Sequence, residues 1–372
     1  MPTSSVGQKE WNVLSSVRPE LSLQIARVRL QSILRYAPSF TYGTSIASSN
    51  NVSQAAGLDL SYRFSKRLTV SARESFTLTT NPFDSFKANA ELPDLGVIAR
   101  PSTAALGTNL HSTTEQLGSD LSYRLTARTS IGAGGNFGST SYESLDSSNG
   151  TNLDSRFWSA SGFVSHQWSP RYSTQLQYSR QYFSSTTPFV STSNGDEVLG
   201  FFNVAFNRSV QLSLFGGPDL VSINHPGSLS GVAPTRTQTF SGGAIFKWQG
   251  ERNGFSASFA QRTSNSGISG NAVVSMRTGT VDVQRQVSKM WSSNLFANYV
   301  GEDQLDPLIQ LPSSNSVSAG VGLSRVINQR FTMGFTASRQ QFIGSVPQLF
   351  LQRSRDIVGF SISYMLTRPI GR

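Results

Sequence analysis

Apolar and polar residues take alternate places over long stretches of this chain. In Leu58-Asp59-Leu60-Ser61-Tyr62-Arg63-Phe64 every second side chain is apolar, and Asp, Ser and Arg fill the gaps. Asp120-Leu121-Ser122-Tyr123-Arg124-Leu125 repeats the block. Successive side chains of a strand point to opposite faces, so each block predicts a strand with one greasy and one polar face. Wound as a helix, Leu58, Asp59 and Tyr62 would share one side and make no coherent stripe. The alternation returns at 210–214, 255–259, 317–324, 331–338 and 358–366.

The connections alternate as well. Tight turns are expected near Arg27, Lys66, Ala127, Pro170, Arg208, Glu251, Ser288 and Asn328. Looser Ser/Asn/Gly/Pro stretches lie between them at 45–52, 80–112, 144–153, 185–196, 225–235, 264–270 and 301–315, and one more follows at 343–352. Strands of about 12–16 residues exceed the usual 5–6 of soluble sheets. Short turns at one end and long loops at the other is the layout of an outer-membrane barrel, with the loops outside and the turns, often carrying Lys or Arg, in the periplasm. The eight turns imply sixteen strands, and 353–366 adds a seventeenth. Single-chain bacterial barrels have even numbers. Either Arg27 marks only a bulge in one long first strand over 18–44, or a first upward strand is absent from this chain. The expected fold is therefore all-β, a transmembrane antiparallel up-and-down β-barrel of about 16–18 strands. Residues 1–17 would form a periplasmic or loop segment, and 18–372 a single barrel with the long extracellular loop 80–112.

Composition narrows the class. Charged residues are 14% of the chain and hydrophobic ones 37%, against roughly 25% and 45–50% in soluble domains. Aromatic residues at 10% and the regular apolar spacing argue against disorder. No apolar run approaches the length of a membrane-spanning helix. The absence of cysteine excludes disulfides, thiolate metal sites and a cysteine nucleophile. The opening MPTSSVGQKEWN carries no basic segment followed by an apolar one, so no signal peptide precedes this barrel within the chain. The expected location is the bacterial outer membrane.

At 16–18 strands wall side chains cannot fill the interior, and a water channel or a plug is expected. The polar parity carries Arg29, Arg35, Arg63, Arg73 and Arg124 beside Asp59 and Asp120. Of these, Arg35, Arg63, Arg73, Arg124, Asp59 and Asp120 are the candidate pore-lining residues. Arginines on a low-dielectric wall attract anions, and the formal charge of +10 agrees in sign. The plainer reading makes Arg63 and Arg124, close to turns, residues of the rim paired with acids across the strands. Loop 80–112, with Asp84, Lys87, Glu91, Asp94 and Arg100, is either a constriction folded into the lumen or a surface loop. Glu74 has the lipid parity and is expected above the apolar band. Tyr62, Phe64, Tyr123, Trp168, Tyr172, Trp248, Trp291 and Tyr364 suit interfacial girdles. Inward Phe163, Phe183, Phe215 and Phe296 would serve either as wall structure or as a sugar slide.

Catalytic chemistry finds little support. The three histidines, His111, His166 and His225, stand in or beside loops or a turn, and abundant serine makes a Ser–His neighbour uninformative. No phosphate-binding loop is present, no metal site is expected, and the basic residues are too dispersed for nucleic-acid binding. No enzymatic activity and no cofactor are expected.

The hairpin blocks DLSYRFSKRLTVSARESF and DLSYRLTARTSIGAGGNF, the segment RPELSLQIARVRLQSILRYAPSFTYG and the ending ISYMLTRPIGR together resemble a loose group of bacterial outer-membrane β-barrel proteins. These porin-like proteins are found beside exopolysaccharide export genes, especially in acidobacteria. The resemblance covers most of the chain and implies an outer-membrane pore. It also implies as partners the outer-membrane lipids and lipopolysaccharide, the barrel-assembly machinery and periplasmic export components. One departure is the end at Pro369-Ile370-Gly371-Arg372, where such barrels usually finish on an aromatic residue; Tyr364 takes that role or the assembly signal is non-standard. The expected function is passive diffusion of polar solutes with a mild anion preference. The alternatives are an exopolysaccharide exit pore and a closed structural or adhesive barrel.

Overall fold

In the computed structural model the described residues are 14–43, 51–79, 110–144, 155–185, 191–224, 234–264, 273–305, 314–328, 330–343 and 354–364. All regular structure among them is β. The first hairpins use β1 (Leu14–Val17), β2 (Leu21–Ala26), β3 (Leu30–Gly43), β4 (Asn51–Arg63), β5 (Leu68–Thr79) and β6 (Leu110–Arg124). The middle of the chain forms β7 (Thr129–Ser144), β8 (Ser155–Gln167), β9 (Tyr172–Ser185), β10 (Ser191–Ala205), β11 (Val210–Asn224) and β12 (Thr235–Gln249). Then follow β13 (Asn253–Ser264), β14 (Val274–Gln286), β15 (Trp291–Gln304), β16 (Ser314–Val326), β17 (Phe331–Ile343) and β18 (Ser354–Tyr364).

From β2 onward every strand pairs antiparallel with the next, as an up-and-down meander. β1 and β2 lie end to end along β3, with Leu14 opposite Gly43 and Leu21 opposite Tyr36 in one continuous register. They are two halves of one strand, interrupted at Arg18-Pro19-Glu20, where proline has no N–H to give a ladder. The eighteen segments thus make seventeen strand paths. Arg27 marks a true hairpin, its N–H donating to the Leu30 carbonyl at 2.7 Å, which corrects the bulge reading. Among the described residues the sheet starts at Leu14, ahead of the expected 17/18 boundary. β10 also begins at Ser191, inside the stretch 185–196 expected to be loop; there Ser193 and Glu197 keep strand alternation despite the Asn194-Gly195-Asp196 turn signal. With seventeen antiparallel paths the first and last run in the same direction, so a cylinder joined at those two edges closes on a parallel pair.

The two faces differ sharply. Large exposed apolar side chains share one parity: Leu34 and Tyr36, Leu117 and Leu121, Val198 and Phe202, Leu214 and Leu220, Phe335, Val358 and Phe360. We call this the outer face. The opposite, inner parity holds mostly Ser, Thr, Asn, Gln and Gly. The small buried apolar cluster of Val221, Ile223 and Val273, with Leu305 against it, lies at the loop end. A water-soluble protein hides its apolar area within, whereas this sheet turns it outward, which is stable only against an apolar surrounding. Glu74 departs from the outer pattern. It stands level with Leu58 on β4 and Leu117 on β6, midway along β5, and not above the band as expected.

Six turns share one construction. Phe64-Ser65-Lys66-Arg67, Leu125-Thr126-Ala127-Arg128, Trp168-Ser169-Pro170-Arg171, Phe206-Asn207-Arg208-Ser209, Val287-Ser288-Lys289-Met290 and Ile327-Asn328-Gln329-Arg330 each join two strands. In each, the Ser, Thr or Asn oxygen accepts two backbone N–H groups, two and three residues on, at 2.8–3.3 Å. These side chains satisfy donors that the tight turn takes from the ladder. The apolar first residue keeps the outer parity of the preceding strand and is 45–62% exposed.

Candidate functional site

The inner face is the candidate site, because in a pore its width and charge would decide what passes. Registers place all six candidate pore-lining residues on it. Asp59 stands directly opposite Arg73, and the Arg73 Nε–H donates to its carboxylate at 2.5 Å. Asp120 lies one strand further, opposite Ser71. Arg35 faces Gly57 from β3 and is exposed. Arg63 and Arg124 are the last residues of β4 and β6. Their backbone N–H groups bond the carbonyls of Arg29 and Arg67, both at 2.8 Å, so they stand at the turn-side mouth. Asp84, Lys87, Glu91, Asp94 and Arg100, with the constriction loop they define, lie outside the described residues.

A second inner cluster, on β9 to β15, was not anticipated from sequence. Glu197 and Asp219 are directly opposed, and each is about 5% exposed or less. The Ser179 hydroxyl donates to Glu197 at 3.2 Å and that of Ser241, fully buried, to Asp219 at 3.4 Å. The Arg262 guanidinium lies over the Phe215 ring at 4.8 Å, and Glu302 is buried two strands beyond it. These carboxylates are turned into the wall. Gly216-Gly217-Pro218 disguises the β11 strand that carries Asp219. The Gly217 backbone passes so close to the Val198 carbonyl that a Cβ has no room.

Phe183 is buried and Phe201 stacks on Phe215, while four inner rings, Phe215 among them, lie over glycines. Phe163 stands opposite Gly132, Phe157 opposite Gly138, Phe215 opposite Gly243 and Phe296 opposite Gly320. In each pair the ring occupies the space where the glycine would carry a Cβ. Asp120 over Gly134 and Asn294 over Gly322 follow the same rule. Each glycine accepts the ring or chain of its cross-strand partner, so these side chains lie along the wall.

Of the three histidines, the side chains of His111 and His225 lie outside the described residues. His166 sits on the outer face, its Nδ1 3.0 Å from the Thr129 hydroxyl and its ring edge-on to Trp168. Among the described residues no group of three His, Asp or Glu could hold a metal ion.

No protein-family model matches the sequence, and no curated protein matches it. Solved structures do match in fold, and they are bacterial outer-membrane β-barrels. The siderophore receptor PiuA of Acinetobacter baumannii aligns over 90% of this chain and 63% of its own, with TM-score 0.50 and 11% identity. FpvA of P. aeruginosa, solved bound to heterologous pyoverdines, aligns over 96% and 58%, with TM-score 0.53 and 7% identity. The FrpB iron transporter from Neisseria meningitidis aligns over 95% and 67%, with TM-score 0.52 and 10% identity. The chain spans less than two thirds of the length of the first two. At such identities the likeness is one of fold: this chain is similar to bacterial outer-membrane barrels in its antiparallel up-and-down architecture.

Proposed function

We propose that the chain forms a water-filled pore in a bacterial outer membrane and passes small polar solutes by diffusion, with a mild preference for anions. The observation that carries this reading is the pairing of large inner residues with cross-strand glycines. A wall of about seventeen strands is too wide for its side chains to fill, and here Phe157, Phe163, Phe215 and Phe296 lie over glycines. The charges that face the lumen are unequal. On the inner face of β3–β6, Arg35, Arg63 and Arg124 are exposed against one exposed acid, Asp120; the exposed Glu74 and Glu115 have the outer parity. Arg73 and Asp59 offset each other, and Glu197, Asp219 and Glu302 are buried. The exposed balance on this sector is therefore positive, which lowers the barrier for anions. Iron carriers belong to the structures compared above; at 7–11% identity that likeness reaches the fold and not the cargo.

The test is single-channel recording from refolded protein in a planar bilayer under a salt gradient. Steady conductance steps with an anion-biased reversal potential are expected. Replacing Arg35, Arg63 and Arg124 together by Gln should move that potential toward cations. Folded protein that inserts and carries no current would overturn the pore reading.

A further inference from the structure

The +10 charge is not spread through the molecule. The eight tight turns, 27–29, 64–67, 125–128, 168–171, 206–209, 250–252, 287–290 and 327–330, contain Arg27, Arg29, Lys66, Arg67, Arg128, Arg171, Arg208, Arg252, Lys289 and Arg330. Their single acid is Glu251. Ten bases less one acid leave +9 in the turns; the remaining 21 bases and 20 acids leave +1 in the rest of the chain. One rim of the sheet is therefore a nearly continuous basic ring.

An apolar ring adjoins it. Phe64, Leu125, Trp168, Phe206, Val287 and Ile327 open the six repeated turns and are exposed on the outer face. Tyr172, Trp248, Trp291 and Phe331 stand on the same face one step up the strands, also exposed. At this level Arg325 lies over the Trp291 ring at 5.2 Å. Aromatic rings sit at the boundary between hydrocarbon and headgroups. Arg27, on the outer parity, and Lys66, Arg208 and Lys289, at the middle of their turns, lie beyond that boundary and reach the phosphates, their aliphatic stems lying on apolar surface, while Arg29, Arg67, Arg128, Arg171, Arg252 and Arg330 continue the inner parity. Ten like charges on one rim repel one another unless counter-charge is present.

We propose that this rim is a collar for anionic phospholipids: the basic turns hold the headgroup phosphates of the leaflet they face, while the apolar turn residues anchor among the acyl chains. The collar rests on the membrane-barrel reading and adds to it a lipid preference. A pore mouth meant only to draw soluble anions needs the bases but not an exposed apolar residue opening each turn. Their combination is what a lipid interface requires, and anionic lipid adds attraction for each base near the surface.

The experiment uses the full chain refolded into phosphatidylcholine bilayers containing traces of spin-labelled phosphatidylglycerol or spin-labelled phosphatidylcholine. The motionally restricted fraction of each probe is measured. Wild-type protein should restrict phosphatidylglycerol several-fold more than phosphatidylcholine, and added salt should reduce the difference. In R27Q/K66Q/R208Q/K289Q, which spares the bases that continue the inner parity, the two probes should approach equality. The salt titration needs no variant, so it decides the matter even if that variant does not fold. Insertion with equal restriction of both probes at low salt would overturn the collar and leave the membrane barrel standing. Failure to insert into any bilayer would overturn both.

Discussion

Asp59 and Arg73 show how little a single contact decides at this wall. Their side chains are 34% and 42% exposed, so the pair contributes on the order of 0–1 kcal/mol. Asp59→Asn should leave denaturant midpoints almost unchanged while freeing the charge of Arg73, and the reversal potential should shift further toward anions. Glu74 lies at the opposite extreme. A carboxylate level with Leu58 and Leu117 on the outer face meets hydrocarbon, at a cost below the roughly 2–4 kcal/mol of a midplane Arg or Lys. Glu74→Leu should therefore stabilise the folded protein by about 1–2 kcal/mol, read from urea unfolding in vesicles. Gly217→Ala should act the other way, because its Cβ would meet the Val198 carbonyl, a backbone atom that cannot step aside. A loss of about 1–3 kcal/mol is expected, and unaltered stability would show that the ladder relaxes there.

Strands and turns were unequally legible. Alternation such as Leu58-Asp59-Leu60-Ser61-Tyr62 marks both the strand and its faces, because a period of two has one structural meaning once the run is long. The parity of Arg35, Arg63, Arg73, Arg124, Asp59 and Asp120 followed directly from it. Glu197, Asp219 and Arg262 were missed, since Asn194-Gly195-Asp196 and Gly216-Gly217-Pro218 read locally as turns and only the ladder pulls them into strands. The turns themselves were placed from sequence, near Lys66, Ala127, Pro170, Arg208, Ser288 and Asn328, but their shared order of an apolar residue and then Ser, Thr or Asn emerged only with the structure. Their hydrogen-bonding role needed the backbone to be seen. Ser169→Ala, Asn207→Ala and Asn328→Ala each remove the acceptor of two N–H groups. Each should cost about 1 kcal/mol, and the three should add, being far apart in the sheet. Equilibrium unfolding of the single and triple variants checks both statements.

For the whole molecule, net charge and lumen charge are different quantities. The sign of +10 suggested an anion-drawing lumen, yet +9 of it lies in the turns, and the pore wall nearly balances. In the proposed pore, the exposure of Arg35, Arg63 and Arg124 against burial of Glu197, Asp219 and Glu302 would favour anions. That distinction is invisible in composition. Seventeen strands could be counted from the turns, but keeping that count over sixteen or eighteen needed the structure, in which Arg18-Pro19-Glu20 interrupts a strand and Arg27 ends one. All of this depends on which face is wet. The chain has no cysteine, so single cysteines can be placed along β17 without background. The most direct measurement is labelling of Thr332→Cys, Met333→Cys, Phe335→Cys, Thr336→Cys, Ala337→Cys and Ser338→Cys in vesicles with a water-soluble, membrane-impermeant maleimide. Positions 332, 336 and 338 should react, and 333, 335 and 337 should stay protected. Equal labelling of both sets, or the reverse order, would contradict a barrel with an apolar outside and an aqueous lumen.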